Sequence, residues 1–143
     1  MSGFLLDTCV LSEFTKRRAD PGLVEWLATE DESSMFVCEL SLGELEKGLN
    51  RLSDSSRRTK LRAFIDQEII ERFESRIVPV DVRVWRRWGA LCGESERAGR
   101  PLPVIDSLLT ACALVHQLSI VTRNESDFSK SGAPVVNPWR AAN

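Results

Sequence analysis

The sequence predicts an α/β protein built on a parallel sheet that carries helices on both faces. Two observations lead there. Short apolar runs of strand length recur along the chain, as "GFLLD", "SMFVCEL", "RIVPV", "LSIVT" and a final "APVVN". The segments between most of them repeat their apolar residues at the three- and four-residue steps of a helix. Strands separated by helices pair in parallel and are buried on both sides. The length of 143 residues, 43% hydrophobic and 28% charged, suits a single domain over 1–143 with its own core.

Each element has a local reason. "GFLLD" is a buried strand that ends in an acid, and "TCVLSEFTK" continues as a helix. Asp20-Pro21 pairs a capping residue with a first-turn proline and opens the helix "GLVEWLATE". After "SMFVCEL", Ser41 and Glu44 stand at capping-box spacing and predict a helix over "SLGELEKGLNRL". Leu61, Phe64, Ile65, Ile69 and Phe73 then mark a long amphipathic helix. Beyond "RIVPV", Asp81 caps a helix whose apolar face holds Val84, Trp85, Trp88, Leu91 and Cys92. "PLPVIDSLLTACALVHQL" follows, a helix apolar on nearly every side with Asp106 at its start. "LSIVT" and "APVVN" complete the strands.

Composition excludes several classes. No window approaches the ~20 apolar residues of a membrane span. The N-terminus has no basic region and meets an acid at Asp7, so a cytoplasmic protein without a signal peptide is expected. Cys9, Cys38, Cys92 and Cys112 are scattered among apolar neighbours and read as buried free thiols. The single histidine, His116, excludes a multi-histidine metal site within the chain. The net charge of −2 gives no general field for nucleic acid. Basic residues do cluster locally, in "KRR" at 16–18, "RRTKLR" at 57–62 and "RVWRR" at 83–87. Taken singly each is a solvated face; together they allow a basic rim around an acidic centre.

The acids carry the chemistry. Asp7 ends the first strand, Glu44 lies early in the helix after the second, Asp106 opens the helix before the fourth, and Asp127 follows the fourth within "TRNESDF". In a parallel sheet the working site lies beyond the carboxyl ends of the strands, so these four converge at one sheet edge. Taken singly, Glu44 is a capping-box partner, Asp106 a first-turn acid and Asp127 a turn residue. Asp7 is the least routine, because a carboxylate is rarely buried unpaired. Gathered carboxylates repel unless a cation neutralises them, and an all-oxygen set suits Mg²⁺ or Mn²⁺. The functional reading of Asp106 is then a metal ligand that its helix start helps hold ionised.

"FLLDTCVLSE", "SLGELEKGL", "GRPLPVIDSLLTACAL" and "LSIVTRNESDF" together resemble the four blocks of PIN-domain ribonucleases, and among them the VapC/FitB toxins of bacterial toxin–antitoxin pairs. The resemblance runs from Phe4 to about Trp139. It implies a three-layer α/β/α sandwich around a mainly parallel sheet of about five strands. It implies an endoribonuclease dependent on Mg²⁺ or Mn²⁺, with Asp7, Glu44 and Asp106 matching the three main acids. The fourth acidic position falls on Asp127, with Asn124 in a slot that some members use, as a nearby ligand or water holder. Thr8 and Thr122 match hydroxyl positions beside the metal. The family also implies a homodimer and a small, DNA-binding antitoxin. One departure stands at Cys9, where such toxins usually carry asparagine after "DT"; a thiol cannot supply an amide's hydrogen bonds.

The resulting expectation is hydrolysis of RNA phosphodiester bonds by one or two metal ions on Asp7, Glu44, Asp106 and Asp127, with no histidine required. Lys16, Arg17 and Arg100 are the expected contacts to RNA phosphates. A haloacid-dehalogenase-type phosphatase would need a second Asp where Cys9 stands, and a receiver domain would need an acid pair and a late lysine that the strands do not offer. The remaining alternative is a catalytically silent binding module of the same fold.

Overall fold

A computed structural model describes residues 3–139. The chain forms β1 (Gly3–Leu6), α1 (Thr8–Glu13), α2 (Pro21–Thr29), β2 (Met35–Cys38), α3 (Glu39–Arg51) and α4 (Ser55–Ala63). After a π-helical stretch, Phe64–Glu71, come β3 (Ile77–Val78), α5 (Val82–Arg97), α6 (Val104–His116), β4 (Leu118–Val121), α7 (Glu125–Phe128) and β5 (Val135–Val136). The five strands form one sheet in the order β3-β2-β1-β4-β5, and every neighbouring pair is parallel. The expected fold class is therefore the observed one.

Side chains alternate across the sheet with the two-residue period of a strand. Leu5, Leu118 and Ile120 point into one core with Val84 of α5 and Leu109, Cys112 and Ala113 of α6. Leu6, Val37 and Val121 point into the other, against Val10 and Leu11 of α1, Leu23 of α2 and Leu45 and Leu49 of α3. Helices α1 to α4 thus cover one face, and α5 and α6 the other.

Local chemistry sets the ends of several helices. Asp20 Oδ2 accepts from Leu23 N–H at 3.1 Å ahead of Pro21, and Asp81 Oδ1 accepts from Val84 N–H at 3.2 Å. The capping box expected at Ser41 and Glu44 does not form. Helix α3 already begins at Glu39 behind Cys38, with no side-chain cap. Ser41 is fully buried inside the first turn, and its hydroxyl lies 3.0 Å from that of Thr8.

The long helix expected through Leu61–Phe73 is α4 continued as a π-helix, where Arg72 N–H reaches Gln67 O five residues back at 3.3 Å. Ile65, Ile69 and Phe73 repeat at uniform four-residue steps, and all three are buried. Trp85, expected on the core face of α5, is 48% exposed and lies edge-on to Trp88 at 5.5 Å. Cys38, Cys92 and Cys112 are buried free thiols as expected, whereas Cys9 is only half-buried.

Candidate active site

The strand order explains where the site lies. From β1 the chain builds outward through β2 and β3 on one side, and later through β4 and β5 on the other. The crevice beyond the carboxyl ends of β1 and β4 is the point where that order reverses, the usual place for a ligand in an open parallel sheet. Asp7 leaves β1 there and Thr122 leaves β4 there, with Asp7 N–H donating to Val121 O at 3.0 Å.

Asp7 is held at both carboxylate oxygens. Oδ1 accepts from Thr8 N–H at 2.8 Å, as the N-cap of α1. Oδ2 accepts from the fully buried Thr122 hydroxyl at 2.8 Å. The Thr122 oxygen accepts in turn from Asn124 N–H at 2.9 Å. Thr8 donates its hydroxyl to Glu44 Oε1 at 2.6 Å, joining the start of α1 to α3. Cys9 occupies the gap between the two strands. Its thiol lies 3.5 Å from Asp7 Oδ2 and 3.6 Å from Thr122 Oγ1, and its sulfur accepts from Arg123 N–H at 3.5 Å. A weak S–H donor thus replaces the amide usual at that position. Burial, followed by the Asp7 charge, pushes the Cys9 thiol up from its ordinary pKa, despite the lowering bond from Arg123 N–H, so it stays protonated.

Asp106 approaches from the opposite layer. It sits half-buried in the first turn of α6, and its carbonyl accepts from the Thr110 hydroxyl at 2.9 Å. Trp88 of α5 donates its indole N–H to Ser107 Oγ at 2.9 Å, and Ser107 donates to Val104 O at 2.9 Å, pinning that turn. Burial pushes the Asp106 carboxyl above its ordinary range, and the charges of Asp7, Asp127 and Glu44 add to the shift. The helix start, which favours the ionised form, is opposed at Asp106 by burial and by three neighbouring acids.

Asp7, Asp127 and Glu44 all lie near enough to Asp106 for their charges to act on its carboxyl. None of the four has an ion pair among the described residues. Asp127 belongs to α7 and is exposed, and its carboxylate is among those acting on Asp106. Asn124 precedes α7 and contributes its backbone N–H to Thr122. Ser41 escaped the sequence reading; its signal was a small polar residue three positions before Glu44, which fits a cap equally well.

Among the described residues no three acid, cysteine or histidine groups stand close enough to hold one metal ion as placed. The charges of Asp7, Asp127 and Glu44 still act on Asp106. The donor set nonetheless fits a hard divalent cation: oxygen atoms only, mutually repelling, with Asp106 penalised for its charge. His116 ends α6, ten residues or about 15 Å beyond Asp106. Burial lowers its imidazole pKa, aided by the Arg83 charge and opposed by Asp81, and its Nε2 has no hydrogen-bond partner among the described residues. It is too far along the helix to serve the acids. Of the expected RNA contacts, Lys16 pairs with the buried Glu13 at 2.8 Å. Arg17 is exposed beyond the far end of α1, and Arg100 is exposed in the loop before α6.

A parallel α/β/α sandwich with acids gathered at its switch point defines the class. The PIN domain family model matches residues 4–133, and the chain belongs to that family. It is 26% identical over 138 residues to VapC ribonuclease Y4jK of Sinorhizobium fredii, covering 96% of this chain and 99% of that protein. It is 27% identical over 135 residues to toxin FitB of Neisseria gonorrhoeae, covering 94% and 97%. The crystal structure of FitAcB from Neisseria gonorrhoeae superposes with a TM-score of 0.88 at 26% identity, covering 96% of this chain and 99% of that one. Among the described residues no helix is long and apolar enough to cross a membrane.

Proposed function

We propose that this protein is an endoribonuclease dependent on Mg²⁺ or Mn²⁺ that hydrolyses RNA phosphodiester bonds as the toxin of a toxin–antitoxin pair. The observation that carries this reading is that Asp7, Glu44 and Asp127 all press their charge on Asp106 at the carboxyl end of the sheet, with no ion pair to any of the four among the described residues. The likeness to proteins named VapC ribonuclease and toxin FitB supports the RNA substrate and the toxin role. The partners in this reading are a cognate antitoxin, small and DNA-binding, and a second copy of the chain. The place of action is the cytoplasm.

Asp7, Glu44, Asp106 and Asp127 would hold the metal. When bound, the ion supplies Lewis acidity to a phosphate oxygen and acidifies a water molecule. The rest of the work belongs to the chain. Thr8 N–H and the Thr122 hydroxyl fix both oxygens of Asp7, and Thr8 orients Glu44. The Trp88–Ser107 bond holds the turn that presents Asp106. Such fixed geometry is what positions reacting groups for in-line attack.

The test is cleavage of a mixed RNA pool by purified, antitoxin-free protein with Mn²⁺ or Mg²⁺, with chelator, and with Asp106→Asn. Cutting that requires both the metal and Asp106 is the expected result. Cleavage by Asp106→Asn at the wild-type rate, or undiminished in chelator, would refute the mechanism. Absence of cutting by folded protein with either metal would favour the binding-module alternative.

A further inference from the structure

The acidic crevice lies at the start of α1, and a basic, aromatic recess lies at its other end. Phe14 and Thr15 close α1 and line one wall of a recess of about 310 Å³; Arg57, Lys60, Leu61 and Phe64 of α4 and its continuation line the other. The recess carries two residues of the 57–62 basic cluster, Arg57 and Lys60; the 16–18 cluster follows Thr15 directly in sequence. Phe14 is 41% exposed. Other basic residues nearby are occupied: Lys16 by Glu13, Arg62 by Glu46, and Arg58 by the carbonyls of Leu49 and Leu52. Arg57 and Lys60 are exposed and have no ion pair among the described residues.

We propose that this recess is a second contact site for the RNA strand, binding backbone phosphates through Arg57 and Lys60 and offering Phe14 as a stacking edge for a base. The proposal rests on the ribonuclease reading and deepens it. A ring of carboxylates repels phosphates, and a net charge of −2 supplies no overall attraction. The strand therefore needs a local anchor outside the crevice. Helix α1 is six residues, or roughly 9 Å, long, so a short single strand laid along it reaches from the acids to the recess. Cations beside an accessible aromatic ring are the pattern of sequence-tolerant single-strand binding.

The experiment is fluorescence anisotropy of a labelled 12-nucleotide single-stranded RNA with the full chain in chelator, repeated across a salt series. Arg57→Gln/Lys60→Gln should weaken binding roughly tenfold at low salt. It should also lower the slope of log K against log salt by about 1.4, or ~0.7 for each of two lost phosphate contacts. Arg86→Gln/Arg87→Gln removes the same charge from exposed positions on α5, in the opposite layer, and should leave the slope unchanged. An unchanged slope for the α4 pair, an equal loss for both pairs, or no binding by the wild type would overturn the proposal. If the α4 slope falls as expected while no metal supports cleavage, the ribonuclease reading fails and the recess stands.

Discussion

Replacing Thr122 by valine tests whether the buried hydroxyl orients Asp7. The substitution keeps the β-branched shape at a fully buried position and removes one oxygen. Two oxygen–nitrogen or oxygen–oxygen hydrogen bonds go with it, together with the weak contact to Cys9 Sγ at 3.6 Å. The bond to Asp7 Oδ2 at 2.8 Å is charge-assisted, a type worth about 1.5–3 kcal/mol; the bond from Asn124 N–H at 2.9 Å is an ordinary one, worth about 0.5–1.5 kcal/mol. Asp7 is half-buried and Asn124 exposed, so water partly replaces the lost partner at both ends and the lower limits apply. The expected loss is about 2 kcal/mol. At 2–4 °C per kcal/mol for a chain of this size, that is a fall in Tm of roughly 4–8 °C. Thermal melts in chelator measure it, and Thr122→Ser should recover most of it. A purely structural hydroxyl would stop there. An orienting one also predicts that the valine protein binds Mn²⁺ more weakly than the serine protein, measured by titration calorimetry. Equal Mn²⁺ affinities, or a valine protein within about 0.5 kcal/mol of wild type, would refute the reasoning.

Other substitutions probe the charges and the backbone. Asp106→Asn should leave the metal-free protein at least as stable as wild type at pH 7. The Asp106 pKa is raised on folding, so the folded state takes up its proton first, and the wild type closes the gap as pH falls from the raised value towards the ordinary one. Melts of both proteins from pH 4 to 8 in chelator would expose a variant that is less stable throughout, the contrary result. Glu13 behaves oppositely: the Lys16 bond and the Asp20 N–H hold its carboxyl below the usual range, so its contribution is present at neutral pH and fades as pH falls below that range. Glu13→Gln should therefore flatten the acid limb of the stability curve, and an unaltered limb would show that Glu13 does not anchor the 14–20 segment. Gln117 ends α6 in the left-handed region, with φ of 56°. Gln117→Gly should add about 0.5–1 kcal/mol, read from urea midpoints, with unchanged RNA binding.

The strands were legible because each apolar run is short, and the order of strand and helix sufficed for a parallel sheet. The edge at which Asp7 and Thr122 leave their strands was legible because a parallel sheet sends its strand ends to one side. What escaped has a common cause. Ser41 and Glu44 satisfy a capping-box pattern, yet the helix starts two residues earlier and turns Ser41 inward to Thr8. The π stretch falls within a run whose Ile65, Ile69 and Phe73 fit an ordinary α-helical face, so the apolar spacing carried no sign of it. The choice between Asn124 and Asp127 could not be read from spacing. In the fold the Asp127 charge acts on Asp106, and Asn124 gives its backbone N–H to Thr122. Cys9 read only as a departure from the family pattern; in the fold its thiol lies beside Asp7 in the gap between β1 and β4.

The order in which the acids occur along the chain sets a timetable. Domains are made from the N-terminus, and their N-terminal parts fold first during synthesis. Here β1 lies at the centre of the sheet, and its neighbour β4 is not made until position 118. Thr122 and Asp127 therefore come from the last quarter of the chain. A nascent chain on the ribosome lacks the Thr122 hydroxyl that fixes Asp7 until synthesis is almost finished. If the protein is the ribonuclease proposed above, the unfinished polypeptide would not yet be able to cut the RNA around it.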